Sequence, residues 1–258
     1  MKIFSWDDLT AGHVHLPQAA GISIGVFDGV HRGHQMLINH VGAKPELLPG
    51  IVTFSSNPSK FFHPHNYLGD IFTLEQKLKV FRSFGLAFIL LIDFSEEFSA
   101  LSGEEFIYYV IKYVDIRYIA LGGNFHCGKN ASTSAYMIRT ILSTKGIDVD
   151  IFDPFTLGGV PVSSTEIRKA VYAGNTAAAG EMLGRNYEVV LNPGVYEMDG
   201  EWAIAGRPVF QQVLPKTGEY RIALTSQNEE LHSTLSCREE DIVWKQPENR
   251  RFEKFIFM

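Results

Sequence analysis

The chain has 258 residues, 45% of them hydrophobic and 20% charged, enough apolar material for one large domain and one small one. Its formal net charge of −6 excludes the broad basic footprint of a general nucleic-acid binder and leaves room only for a local basic pocket. Cys127 and Cys237 offer no disulfide framework, the longest apolar run (Leu86 to Ile92) is too short to span a bilayer, and Met1 to His15 has no signal-peptide core, so a cytoplasmic protein without membrane or nucleic-acid partners is expected.

The first strand reads from Ile22 to Phe27 and breaks at the turn signal Asp28-Gly29. A helix starting near His31 follows, with Met36, Leu37 and Val41 continuing its apolar face. Such a junction aims unsatisfied N–H groups and the positive end of the helix dipole at the mouth of the strand, where an anion is favoured. His31 and His34, three residues apart, share one face of the first turn, and both imidazoles can donate to one polyphosphate. Gly33 between them removes the Cβ that would hold a base or ribose off the helix.

Ile51 to Phe54 reads as a second strand, followed by a long polar loop from Ser55 to Asp70 in which Asn57 can orient a phosphate or a metal-bound water. Thr73-Leu74-Glu75-Gln76 is a capping box opening a helix with Leu74, Leu78 and Phe81 inward; Gly85 ends it before the strand Leu86 to Ile92. Ser102-Gly103-Glu104-Glu105 opens another helix, with Phe106, Val110 and Val114 inward. A strand at Tyr118 to Leu121, a Gly-rich loop, a helix around Tyr136 to Leu142 and a strand at Val149 to Phe152 complete the alternation. Strands alternating with helices imply an α/β fold with a Rossmann-like doubly wound parallel sheet, its ligands outside the carboxyl ends of the strands.

A helix start recurs at Ser163-Ser164-Thr165-Glu166, with Arg168 one turn in. A guanidinium beside a hydroxyl-rich helix start makes a second anion site, able to grip phosphates bidentately. After a break at Gly174-Asn175 and an Ala-rich turn to Leu183, the pattern changes at 185–188 to short β-rich runs separated by Pro193-Gly194, Asp199-Gly200, Arg207-Pro208 and Thr217-Gly218, read as hairpins. Residues 1–186 are therefore expected to form the main domain and 187–258 a small, mostly β domain. Gly123 to Lys129 also fits G-x-x-x-x-G-K, but Asn130 stands where a P-loop needs Ser or Thr, and Phe125 and Cys127 suit a tight phosphate cradle poorly. His13-Val14-His15 and His63-Pro64-His65 lack companions at zinc-site spacing and read as surface histidines, so no dedicated metal-ligand set is expected.

The segment Gly25-Val26-Phe27-Asp28-Gly29-Val30-His31-Arg32-Gly33-His34 resembles the nucleotide-binding signature of the prokaryotic FAD synthetases, members of the H-x-G-H nucleotidyltransferases. Ser163-Ser164-Thr165-Glu166-Ile167-Arg168 is similar to the family's S-S-T-x-I-R stretch, and the loop at Asn124 is similar to its G-x-N-F segment, with His126 and Cys127 departing from the common Arg and Phe. Thr53-Phe54-Ser55-Ser56-Asn57-Pro58 matches in part a segment often reading T-F-D-P-H-P. The resemblance implies transfer of adenylyl from ATP to FMN, with Mg²⁺. His31, His34 and Arg168 are implied as catalytic; Gly25, Phe27, Asp28, Gly33, Ser163, Ser164 and Thr165 as ATP-binding; and Asn57, Asn124 and Phe125 as flavin-binding. Bacterial members usually add a riboflavin kinase barrel, whose G-V-Y and R-P-T-F stretches are similar to Gly194-Val195-Tyr196 and Gly206-Arg207-Pro208-Val209-Phe210. The kinase's long G-F-P-T-A-N segment has no room here, because only Asn186 to Pro193 lie before Gly194, so riboflavin kinase activity is expected to be absent. Two other readings share these motifs: an H-x-G-H enzyme acting on a different phosphate, and a non-catalytic nucleotide- or flavin-binding module.

Overall fold

Strand–helix alternation closes into a six-stranded sheet of parallel pairs, built from β1 (Lys2–Ser5), β2 (Ala20–Ile24), β3 (Leu48–Phe54), β4 (Phe88–Ile92), β5 (Ile116–Gly122) and β6 (Asp148–Phe152) in the order β1-β4-β3-β2-β5-β6. The order reverses at β2, the strand that carries the H-x-G-H loop, and crevices at such switch points are where open α/β sheets place ligands. In this computed structural model residues 1–192, 194–226, 229–247 and 250–258 are described. Their packing separates two compact units, the first Met1–Pro64 with Leu74–Pro161, the second His65–Thr73 with Val162–Met258.

Within the first unit the sheet is covered on both faces. Ile119 and Leu121 of β5 join one apolar cluster with Leu9 of α1 (Trp6–Thr10), Phe106 and Val110 of α6 (Gly103–Tyr113) and Ile138 and Leu142 of α7 (Ala135–Ser143). Tyr118 and Ala120, on the alternate face, pack with Leu37 and Val41 of α2 (Arg32–Gly42). β3 starts earlier than the sequence suggests, since Pro49-Gly50 looks like a turn yet lies inside the strand. Gly50 is there for contact: a Cβ on it would stand 2.3 Å from the ring of Phe88, its register partner on β4, which is 2% exposed. Gly50→Ala is therefore expected to cost about 1–3 kcal/mol by overpacking, read as a lower urea midpoint with an unchanged m value.

Three short helices depend on side-chain caps: α1 on a Ser5–Asp8 capping box, α3 (Pro58–Phe62), inside the expected loop Ser55 to Asp70, on Asn57, and α5 (Glu96–Ala100) on Ser95. The helix predicted from Thr73 is α4 (Leu74–Ser83), but its buried residues are Gln76, Lys77 and Phe81, with Leu74 and Leu78 half-buried. The G-x-x-x-x-G-K stretch is no phosphate cradle. His126–Cys127 pairs antiparallel with Thr133–Ser134 in a hairpin whose turn holds Asn130 and Ala131 in left-handed backbone.

In the second unit, α8 (Ser164–Tyr172) and α9 (Thr176–Leu183) precede a seven-stranded antiparallel sheet. Its strands are β7 (Glu188–Val190), β8 (Glu197–Asp199), β9 (Trp202–Gly206), β10 (Gly218–Thr225), β11 (Glu230–Cys237), β12 (Asp241–Lys245) and β13 (Lys254–Phe257), in the order β7-β13-β10-β11-β12-β9-β8. Asp199-Gly200 does turn a hairpin, between β8 and β9. Thr217-Gly218 leads into β10 instead, which pairs antiparallel with β11; Pro193, read as part of a turn, lies outside the described residues. Packing divides the chain before α8, ahead of the change from helices to strands at residue 187. Gln212, 3% exposed, binds the segment His65–Thr73 into this unit: its amide donates to Ile71 O and Glu188 O and its carbonyl accepts from Val190 N, each at 2.9 Å.

Candidate active site

Immediately after β2 the backbone leaves the allowed regions that most L-residues prefer. Phe27 sits at φ 53°, Gly29 at φ 75° and Val30 at φ 38°, and a β-branched residue at positive φ is a true outlier. Each non-glycine strained position costs on the order of 1–3 kcal/mol and persists only where its surroundings over-determine it. Here Val30 N–H donates to Phe27 O at 3.1 Å and Gln35 Nε2 donates to Val30 O at 2.9 Å. Phe27 is fully buried, and Gly25, whose absent Cβ would lie 3.2 Å from the Phe27 ring, lets it tuck back under the loop.

This turn delivers His31 and His34. His31 caps α2, its Nδ1 accepting the His34 N–H at 3.3 Å, and it is 6% exposed, a buried cap. Because Nδ1 is an acceptor, a neutral His31 carries its proton on Nε2, which is then a donor. The two imidazoles stack at 3.6 Å between centroids and 18° between planes, and His34 lies against Phe27 at 4.9 Å. A Cβ on Gly33 would meet the His31 ring at 3.3 Å, so this glycine makes room for the imidazole as well as for any ligand.

Asp28 and Asn57, both buried, meet beside this loop, Asn57 Nδ2 donating to Asp28 Oδ2 at 3.5 Å while its Oδ1 caps α3 by accepting from Ser59 N–H at 3.0 Å. Phe27, Asp28, His31, Gly33, His34 and Asn57 thus form one constellation in the first unit. Asn124 and Phe125 stand on the hairpin after β5, Asn124 exposed and Phe125 half-buried against the sheet core. Burial pushes the Cys127 thiol up to about 12, which leaves it inert as a nucleophile.

The second predicted anion site belongs to the second unit. Ser163 caps α8 by accepting from Glu166 N–H at 3.2 Å, Ser164 is half-buried and Thr165 exposed at its first turn. Glu166 pairs with Lys169 at 2.7 Å, and of the expected capping box the serine half is formed. Arg168 Nε donates to Gly69 O at 2.8 Å, Nη2 approaches Tyr67 Oη at 3.4 Å, and the guanidinium lies 5.2 Å from the Tyr67 ring centroid. Tyr67 in turn donates to Asp70 Oδ1. Sequence reading missed Tyr67 and Gly69, and only the aromatic ring in a polar loop signalled either. Among the described residues no cluster of three or more His, Cys, Asp or Glu could hold a metal ion, and no helix is long and apolar enough to cross a membrane.

The sequence matches the FAD synthetase family over residues 14–166. It is 31% identical over 175 residues to a protein of Buchnera aphidicola subsp. Schizaphis graminum named bifunctional riboflavin kinase/FMN adenylyltransferase, the match spanning 66% of this chain and 56% of that one. A Listeria monocytogenes protein of the same name is 24% identical over 245 residues, covering 91% of this chain and 77% of its own length. The chain thus spans little more than half the length of the Buchnera relative. A crystal structure described as a macrolide-efflux protein from Streptococcus pneumoniae superposes with a TM-score of 0.79 over all of this chain and 89% of that one; at 21% identity the likeness shows a shared fold.

Proposed function

Because the chain belongs to the FAD synthetase family, we propose that it is an FMN adenylyltransferase, converting ATP and FMN to FAD and pyrophosphate. The observation that carries this reading is the stacked His31–His34 pair at the start of α2, fixed by a strained loop at the switch point of the sheet. The FMN phosphate is already anionic at neutral pH, so one of its oxygens attacks the α-phosphorus in line, a P–O bond forms, and the bond to the β-phosphate breaks. Such a reaction requires positioning and charge stabilisation more than a covalent nucleophile or a general base.

His31 Nε2–H and the His34 imidazole stabilise charge on the reacting phosphates, assisted by the helix dipole. Gly25, Phe27 and Asp28 shape the nucleotide loop, Gly33 admits the adenosine, and Ser163, Ser164, Thr165 and Arg168 hold the departing pyrophosphate. Mg²⁺ bound with ATP would supply neutralisation of phosphate charge, a role for which no carboxylate cage of this chain is required. Asn57, Asn124 and Phe125 contact the flavin. Residues 1–186 act as the nucleotidyltransferase domain and 187–258 as a shortened kinase-like remnant, in a cytoplasmic enzyme that takes FMN ready-made. The eight residues between Arg185 and Gly194 already include the strand β7, which supports the loss of the kinase phosphate loop.

The deciding experiment incubates pure protein with ATP, Mg²⁺ and either FMN or riboflavin, and separates the flavins chromatographically. FAD from FMN, with riboflavin left unchanged, is the expected result. Absence of FAD from the FMN reaction overturns the adenylyltransferase reading; conversion of riboflavin to FMN at comparable turnover overturns the loss of the kinase.

A further inference from the structure

Lys77 is a lysine in the core of the first unit, 6% exposed, on a helix whose sequence gives it no evident task. Its Nζ donates to Phe54 O at 2.5 Å, Val26 O at 3.3 Å and Thr53 Oγ1 at 3.4 Å. The Thr53 hydroxyl spends its own hydrogen on Val26 O at 3.0 Å, so toward Thr53 Oγ1, as toward the two carbonyls, the Lys77 amine is the donor. Burying a charged group is unfavourable unless it is hydrogen-bonded, and these bonds fall at two informative places. Val26 is the last residue before the left-handed backbone of Phe27, and Phe54 is the last residue of β3, from which the chain runs to the Asn57 cap. One turn further along α4, Phe81 meets Phe27 edge-on at 5.7 Å, beneath the contact between Phe27 and His34.

We infer that Lys77 is a positioning residue, whose ammonium ties the segment that follows β2 to the carboxyl end of β3 and so fixes the strained loop that presents His31 and His34. The inference rests on the proposed adenylyl transfer for its effect on turnover, and on the hydrogen bonds alone for its effect on the loop. Lys77→Met keeps side-chain length and removes the three bonds. Amide hydrogen exchange without substrate should then show about tenfold or greater loss of protection at residues 25–31 and 55–57, with β5 unchanged. Displacing the imidazoles by a fraction of an ångström should lower kcat for FAD formation by about 10- to 100-fold, with the KM for FMN within about twofold of wild type. Thr53→Val, nearly isosteric, should give the same exchange pattern with a smaller loss of turnover, and decides the matter if Lys77→Met does not fold.

Exchange that is unchanged, or that rises evenly across the sheet, overturns the inference, as does normal kcat in folded Lys77→Met. A wild-type protein that makes no FAD defeats the proposed reaction, while the exchange pattern still reports on Lys77.

Discussion

His34→Ala is expected to slow FAD formation about 10²- to 10³-fold, the usual cost of losing one electrostatic donor at a site of developing charge, while the folded state changes little. The stability argument is structural. The contribution of His34 to the helix start is its backbone N–H, bonded to His31 Nδ1, and alanine keeps that group. The ring's stack on His31 and its contact with Phe27 are lost, worth about 0.5–1.5 kcal/mol as an aromatic pair. His31→Ala makes the informative contrast, because it deletes the cap as well as the donor and should cost about 0.5–2 kcal/mol in addition to turnover. Steady-state kcat with urea midpoints for both variants checks the pair of expectations. Turnover of His34→Ala within threefold of wild type would remove His34 from the mechanism.

Arg168→Lys should raise the KM for ATP by about 10- to 100-fold, the equivalent of a charge-assisted hydrogen bond of roughly 1.5–3 kcal/mol, although the formal charge is kept. Lysine has no Nε to bond Gly69 O and no planar group to lie over Tyr67, so its ammonium is neither oriented nor able to grip two phosphate oxygens in one plane. The KM for FMN should stay near the wild-type value. Tyr67→Phe keeps the ring under the guanidinium and removes only the hydroxyl, and should fall between the two proteins. Identical ATP kinetics for Arg168→Lys and wild type would reduce Arg168 to an ordinary helix residue.

The parallel sheet was legible because each buried strand is a compact apolar run and each helix between strands repeats its apolar residues every three or four positions. The candidate site draws its sequence signal from places where chemistry and spacing coincide: two histidines flanking one glycine at a helix start, and an arginine one turn past a Ser-Ser-Thr. What escaped is of a different kind. Lys77 and Gln76 break the apolar pattern of α4, and nothing local marks them as buried; the carbonyls that Lys77 bonds, at Val26 and Phe54, lie more than twenty residues away in sequence. The seat of Arg168 lies 99 residues away in sequence, beyond any periodicity. The role of His31 as a cap was hidden for a simpler reason: caps are expected to be Ser, Thr, Asp or Asn, and an imidazole nitrogen performs the same task here. The left-handed Phe27 and Val30 were equally hidden, because Asp28-Gly29 drew the turn to itself and strain at its neighbours leaves no trace in composition.

The nine residues His65–Thr73, encoded in the midst of the first unit, supply part of the second. Asp70 bonds Gln211 O and accepts from Val213 N–H, both at 2.9 Å, in a short parallel bridge, and a Cβ on Gly69 would strike Val213 N at 2.7 Å. A gene cut at codon 162 would therefore deliver a carboxyl-terminal product with an empty berth beside Gln212 and without the carbonyl that steadies Arg168. No single recombination crossover can exchange this unit for a relative's without also rewriting the middle of the other, so the two are constrained to be inherited, and to diverge, as one.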